Sequence, residues 1–87
     1  SNATMFILDT DNYRVLRWQL NDPMGIIVAG GRGFGSTFDR LGTCYAMFVD
    51  NQNNIFISDW TNHRIVRWSV TNTTAGQLVS FFMTDPH

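Results

Sequence analysis

The chain of 87 residues contains no lysine and no glutamate, because all six cationic residues are arginine and all seven anionic residues are aspartate. Lysine and glutamate are good helix formers, whereas aspartate favours turns, so their absence argues against a helical fold. The many aromatic, valine and isoleucine residues instead predict strands joined by polar turns. The formal net charge of −1 gives no electrostatic reason to expect a polyanionic partner.

Cysteine and histidine are also scarce. Cys44 is the single cysteine, which excludes an internal disulfide bond, and we interpret it as a small buried apolar residue. A catalytic thiol would need a neighbouring base, and the chain offers only His63 and His87 as histidines. The longest apolar runs fall far below the ~20 residues of a membrane-spanning helix, so no membrane partner is expected.

What the chain does contain is an internal repeat. Residues 6–18 align without a gap with residues 56–68, at a constant spacing of 50 residues. Identical residues stand at seven aligned pairs: Phe6/Phe56, Ile7/Ile57, Asp9/Asp59, Asn12/Asn62, Arg14/Arg64, Arg17/Arg67 and Trp18/Trp68. Residues 25–31 and 76–82 continue the alignment after one inserted residue. A repeat of roughly 40–50 residues is typical of propellers and solenoids.

Apolar segments bounded by polar turns predict seven strands. They cover residues 6–8, 13–18, 25–29, 45–50, 55–58, 63–68 and 76–82, with a polar turn at Thr71–Ala75. If a complete unit has strands a to d, the chain reads b-c-d followed by a-b-c-d. Bulky residues on both faces of these strands suit sheets that are covered on two sides, as in a propeller.

These elements predict an all-β fold of two four-stranded antiparallel propeller blades, the first of them incomplete. The first blade spans residues 4–31, a glycine-rich linker spans 32–44, and the second blade spans 45–83. Residues 1–3 are interpreted as a remnant of tag cleavage, and residues 84–87 as a tail. Two blades form a propeller only by oligomerisation or within a longer parent chain, since closure needs at least about four.

Two segments are candidate ligand sites. Gly31–Gly35 superficially suggests a phosphate-binding loop, but no helix is predicted after it, so we interpret it as part of a crossover between sheets. Asp50–Asn54 could be a calcium loop, yet it lacks the glycine and distal glutamate of an EF-hand and is better explained as a hairpin turn. We therefore expect no cofactor and assign no metal ligand. The Asn72-Thr73-Thr74 glycosylation sequon matters only in a secreted chain.

The segment from Ile55 to Trp68 reads Ile-Phe-Ile-Ser-Asp-Trp-Thr-Asn-His-Arg-Ile-Val-Arg-Trp and resembles the NHL repeat, in which an apolar strand is followed by Asp, a short turn and Asn-x-Arg-Ile. Gly30–Gly35, Leu41 and Met47–Asp50 resemble the linker and first strand of such a blade. Tyr45-Ala46 departs from the family pattern. The resemblance implies a β-propeller, usually six-bladed, that binds proteins or, in some cases, single-stranded RNA. A minority of such propellers are metal-dependent lyases or lactonases.

The residues that carry the repeat are interpreted as structural. They are Asp9, Asn12, Arg14 and Trp18 in the first copy and Asp59, Asn62, Arg64 and Trp68 in the second. Each Asp and Arg flank a turn, and we expect a forked ion pair there, within a blade or between neighbouring blades.

Trp60 has no counterpart in the repeat, since Thr10 stands in its place. A bulky aromatic residue at a turn tip is a candidate contact for a partner. His63 is matched by Tyr13, so a metal role shared by both copies is excluded and a ring that fills a turn-flanking position is predicted.

Three functions are compatible with these sequence features. The first is a non-enzymatic scaffold or protein-binding module, because no converging set of catalytic side chains is evident and no catalytic residue can be assigned. The second is a piece of a metal-dependent lyase or hydrolase whose ligands lie in missing blades. The third is single-stranded RNA binding through Arg17, Arg67 and Trp60, which the near-neutral charge disfavours.

An isolated pair of blades would leave apolar faces bare and an unpaired strand edge, both of which favour association. We therefore predict a homo-oligomer. A trimer is favoured, because three chains supply six blades and head-to-tail contacts close into a ring at the right rotation.

Overall fold

The computed structural model describes residues 3–69 and 71–82, and its regular structure there is almost entirely β. The strands in chain order are β1 (Thr4–Asp9), β2 (Arg14–Gln19), β3 (Ile26–Gly30), β4 (Cys44–Val49), β5 (Asn54–Asp59), β6 (Arg64–Ser69) and β7 (Asn72–Phe81). They form one sheet in the order β1-β2-β3 and another in the order β4-β5-β6-β7, with antiparallel pairing throughout. The predicted all-β fold, with three strands followed by four, is confirmed. No helix among the described residues is long and apolar enough to cross a membrane.

The internal repeat is also a repeat of strand register. Asp9 pairs with Arg14 at the end of the β1–β2 hairpin, and Asp59 pairs with Arg64 at the end of the β5–β6 hairpin. The first hairpin closes through a short 3-10 turn at Thr10–Asn12. The spacing of 50 residues therefore relates two hairpins of the same shape.

A β-bulge recurs in both sheets, which the sequence analysis did not predict. In the first sheet Val15 pairs with Ala29 and Leu16 with Ile27, so Val28 is the extra residue of β3. The second sheet has the same irregularity between Ile65 and Val66, opposite β7. A bulge increases the local twist of a sheet, so both sheets are distorted at equivalent points.

The last strand is longer than predicted, and the predicted polar turn at Thr71–Ala75 is wrong. β7 begins at Asn72, which pairs with Ser69. Another register shift lies between Arg67 and Ser69, where residues 73–76 of β7 stand opposite the single residue Trp68. Polar, β-branched threonines can continue a strand as readily as a turn, and here they belong to the extended strand.

One apolar core lies between the two sheets and joins them into a unit. Its buried members come from both sheets and from the linker: Val15, Val28, Ala29, Leu41, Cys44, Ile55, Ile57, Val66 and Trp68. Phe6 and Leu8 of β1 and Met47 and Val49 of β4 pack around it. Antiparallel partners share a face of their sheet, so one face of each sheet is covered by the other sheet.

The glycine-rich linker is anchored at its C-terminal end, whereas most of residues 31–40 are exposed. Leu41 is completely buried, and it forms an isolated parallel bridge with Phe34. Gly30, at the end of β3, has a φ of +65°, and a Cβ there would meet the Tyr13 carbonyl and the Leu41 side chain. Only glycine tolerates both the conformation and the close approach. The linker is thereby brought against the β5–β6 turn, where the repeat signature lies.

Candidate functional site

The guanidinium group of Arg64 is the centre of a buried polar cluster. Its Nε donates to Asp59 Oδ2 at 3.0 Å, and its Nη1 donates to the Ser36 carbonyl at 2.9 Å. Its Nη2 lies 3.3 Å from the Thr37 carbonyl and 3.0 Å from the Arg40 carbonyl. One side chain of β6 therefore holds the carboxylate of β5 and three backbone carbonyls of the linker.

Asp59 completes this cluster from the other side. Its side chain is fully buried, and Oδ2 accepts hydrogen bonds from the Gly42 amide at 3.2 Å and from Asn62 Nδ2 at 2.9 Å. Asn62 Nδ2 also donates to the Gly35 carbonyl at 3.0 Å. A buried carboxylate is tolerated when charge and hydrogen bonds compensate it. We name Asp59, Asn62 and Arg64 the linker clip.

The equivalent residues of the first sheet form the same contacts with each other but hold no linker. Arg14 Nε donates to Asp9 Oδ2 at 2.9 Å, and Asn12 Nδ2 donates to both carboxylate oxygens of Asp9. The hydrogen bonds from Asn12, followed by that from Arg14, hold the pKa of Asp9 below its ordinary value. The Arg14 side chain is 34% exposed against 4% for Arg64. The two copies therefore share a motif but differ in environment.

The geometry of these pairs differs from the sequence expectation in one respect. Each Asp–Arg contact lies within one hairpin and joins a single pair of atoms, Nε and Oδ2. A forked contact with the carboxylate does not form, since the Nη groups of Arg64 are directed to the linker carbonyls. Backbone carbonyls carry no residue identity, so the sequence could not show that they would compete for the guanidinium group.

Tyr13 and His63 occupy equivalent places directly after the two hairpin turns. Both have left-handed backbones, with φ of 55° and 53°. The Tyr13 ring meets Phe34 edge-on, with centroids 5.1 Å apart, and the His63 ring meets Phe82 edge-on at 6.4 Å. Each ring therefore packs against an aromatic residue that follows the last strand of its own sheet.

Trp60 extends the second of these ring pairs into an exposed aromatic cluster. Its side chain is 53% exposed, and its ring centroid lies 5.8 Å from that of Phe82. We name Trp60, His63 and Phe82 the turn cluster. Large aromatic side chains at the surface are the groups that most often anchor protein partners, and contact by Trp60 stays a prediction.

The two repeated tryptophans lie against glycines. Trp68 is fully buried, and a Cβ on Gly76 would overlap its indole ring. Trp18 is half-buried, a Cβ on Gly25 would approach its ring, and its Nε1 donates to the Asp22 carbonyl at 3.1 Å. The strand that follows each tryptophan thus approaches it closely because glycine leaves room.

The three residues proposed for RNA binding lie on different elements of the two sheets. Trp60 lies in the β5–β6 turn, whereas Arg67 pairs with Phe56, three positions along β6 from Arg64. At about 3.3 Å per residue, that places Arg67 about 10 Å from the turn. Arg17 belongs to the other sheet. Binding of single-stranded RNA through these three residues stays a prediction.

The surroundings of Cys44 and of the turn at Asp50 favour structural roles over catalysis or metal binding. Cys44 is buried in the core, and burial, with a smaller contribution from Asp59, raises the pKa of its thiol to about 12. Asp50 accepts hydrogen bonds from the Gln52 and Asn54 amides and from Asn54 Nδ2. These bonds, led by the Asn54 side chain, lower the pKa of Asp50. Within residues 3–69 and 71–82, no three His, Cys, Asp or Glu side chains form a group that could hold a metal ion.

The outer faces of both sheets are apolar. The three-stranded sheet has Ile7, Leu16 and Trp18 on its outer face, where they are half-buried. They alternate along β1 and β2 with the residues of the covered face. The four-stranded sheet presents Phe56 and Ile65 on its outer face, within a shallow apolar depression. Thirteen large hydrophobic side chains are exposed in the described residues, among them Met5, Ile27 and Phe48. Monomeric soluble proteins rarely expose contiguous apolar patches of large size.

Bulky groups on both strand faces are predicted from the sequence, but not the surface on which each of them lies. Strand alternation combined with the repeat could have located them, because a residue and its neighbour in a strand face opposite sides. Comparison with known protein families, with curated proteins and with solved structures found no match to this chain.

Proposed function

We propose that this chain is an NHL-type propeller fragment that acts as a non-enzymatic scaffold and protein-binding module, completing its ring of sheets by association with its own copies. The observation that carries the proposal is the pair of bare apolar faces on either side of the two-sheet unit. Burial of apolar surface contributes about 25 cal/mol per Å², so each face favours a protein surface over water.

The internal packing supports the same conclusion. The two sheets already pack face to face around a shared core, which is how the sheets of a propeller stack around a ring. The linker clip fixes the crossover between them. Two sheets cannot close a ring, which needs at least about four, and three chains would supply six.

The turn cluster is the surface that we assign to a different protein partner. It lies at the hairpin ends of β5 and β6, beyond Asp59 and Arg64, the last paired residues of these strands. Trp60 offers a large exposed ring there, and its centroid lies 5.8 Å from that of the half-buried Phe82. Such a supported aromatic side chain can bury area at small entropic cost.

Light scattering at micromolar concentration tests the proposal. A trimer has a mass of three times 9.9 kDa. A well-folded, monodisperse chain at 9.9 kDa would contradict self-association. Elemental analysis of the purified chain tests the scaffold assignment, because stoichiometric zinc or calcium would instead favour a metal-dependent enzyme.

A further inference from the structure

The bare faces of this chain are repeats of the faces that already pack together. Phe6 and Val15 lie on the covered face of the first sheet, and their counterparts at the spacing of 50 residues are Phe56 and Ile65. Phe56 and Ile65 lie on the outer face of the second sheet. The outer face of the four-stranded sheet therefore copies the face with which the three-stranded sheet docks.

The reverse relation holds for the other side. Ile57, Val66 and Trp68 form the covered face of the four-stranded sheet. Their counterparts at the same spacing are Ile7, Leu16 and Trp18, on the outer face of the three-stranded sheet. The two bare faces thus present the same kinds of side chain as the two halves of the internal interface, and at equivalent positions.

We infer that a second copy of this chain docks with the outer face of its three-stranded sheet on the outer face of the four-stranded sheet, in the manner of the internal interface. This inference rests on the proposed function and specifies its interface. Ile65 would then lie in the place of Val15, and Leu16 in the place of Val66. Each contact joins two different surfaces, so the interface is heterologous, and repeated docking gives a ring when the rotation between copies closes.

The pairing of unlike faces has a consequence that a symmetric interface does not have. A chain blocked on one face keeps the other face competent. Two chains that are blocked on opposite faces can therefore join once, through their remaining faces, and cannot continue. An isologous interface would pair each face with its own copy.

The test uses Leu16→Arg and Ile65→Arg, which place a charge at the centre of each outer face. Each variant alone is expected to lose the parent mass and to run as a 9.9 kDa chain in light scattering. An equimolar mixture is expected to give a species of twice that mass. Gln52→Arg is the matched control, because Gln52 lies in the exposed β4–β5 turn, and it should keep the parent mass.

Several results would overturn the inference. Either variant keeping the parent mass would show that the face is not used, and a dimer formed by one variant alone would show isologous pairing. Separate variants that stay monomeric when mixed would also refute the pairing. A monomeric parent would contradict the proposed function itself, whereas an assembling parent with a failed mixture contradicts this interface alone. If circular dichroism shows that either variant is unfolded, Ile27→Arg and Phe56→Arg replace them on the same faces.

Discussion

Replacing Arg64 with lysine keeps the positive charge but should strongly lower the stability of the fold. The guanidinium group reaches the Asp59 carboxylate and the carbonyls of Ser36, Thr37 and Arg40 from one planar fork. A lysine ammonium group is a single point at the end of a flexible chain and cannot reach acceptors spread around such a fork. At least two of these hydrogen bonds should be lost in a site where the arginine is nearly inaccessible to water.

The magnitude follows from the number of contacts. A hydrogen bond to a charged group contributes about 1.5–3 kcal/mol, and lysine can recover part of this with one or two acceptors. We therefore expect the free energy of unfolding to fall by about 2–4 kcal/mol. For a domain of this size, each kcal/mol corresponds to roughly 4–8 °C in Tm.

Arg14→Lys is the matched control, because it makes the same change in the same motif. Arg14 is partly exposed and its ion pair with Asp9 holds no linker, so the expected loss is about 0.2–1 kcal/mol. Urea denaturation followed by tryptophan fluorescence measures both losses, at one protein concentration because association adds to apparent stability. Equal losses, or an Arg64 variant as stable as the parent, would refute the role given to the linker carbonyls.

Two further outcomes can be checked in the same way. Gly76→Ala should lower the free energy of unfolding by about 1–3 kcal/mol, because the new methyl group overlaps the buried Trp68 ring. Gly25→Ala should lower it less, because the half-buried Trp18 can move. Equal losses of stability in urea denaturation would contradict this expectation. Burial raises the pKa of the Cys44 thiol from 9.0 to about 12, so a thiol reagent at pH 8 should leave the native chain unlabelled and modify it in urea. Because the thiol ionises at lower pH in the unfolded chain, the free energy of unfolding should fall as the pH rises from about 9 to about 12, and Cys44→Ala should weaken this fall. Rapid labelling of the native chain at pH 8 would contradict the burial of Cys44.

Much of the fold could be predicted because the same local pattern occurs twice. The spacing of 50 residues predicted two equivalent hairpins, and the positions of Asp59 and Arg64 at the ends of their strands follow from it. The turn at Asp50 could be recognised because Asp and Asn side chains cap their own backbone. These features depend on residue type within a short stretch, which is what a sequence displays directly.

Other features depend on backbone atoms that every residue possesses. The partners of Arg64 in the linker are carbonyls, so no residue type marks them. The bulge at Val28 is one residue within an apolar run, and nothing in that run shows which residue is extra. Tyr13 and His63 have left-handed backbone conformations, which bulky residues rarely adopt. A glycine at these positions would have indicated such a conformation, but neither residue is glycine.

The linker between the two sheets cannot serve as a hinge. Its carbonyls from Ser36 to Arg40 are held by Arg64, and Leu41 is anchored in the core that both sheets share. Swinging one sheet away from the other would expose Leu41 to water. Surface loops usually accept insertions at small entropic cost, but lengthening this one between Gly35 and Leu41 would displace the acceptors of the clip. The two sheets should consequently open and close as a single cooperative unit, with no separate local unfolding of either one.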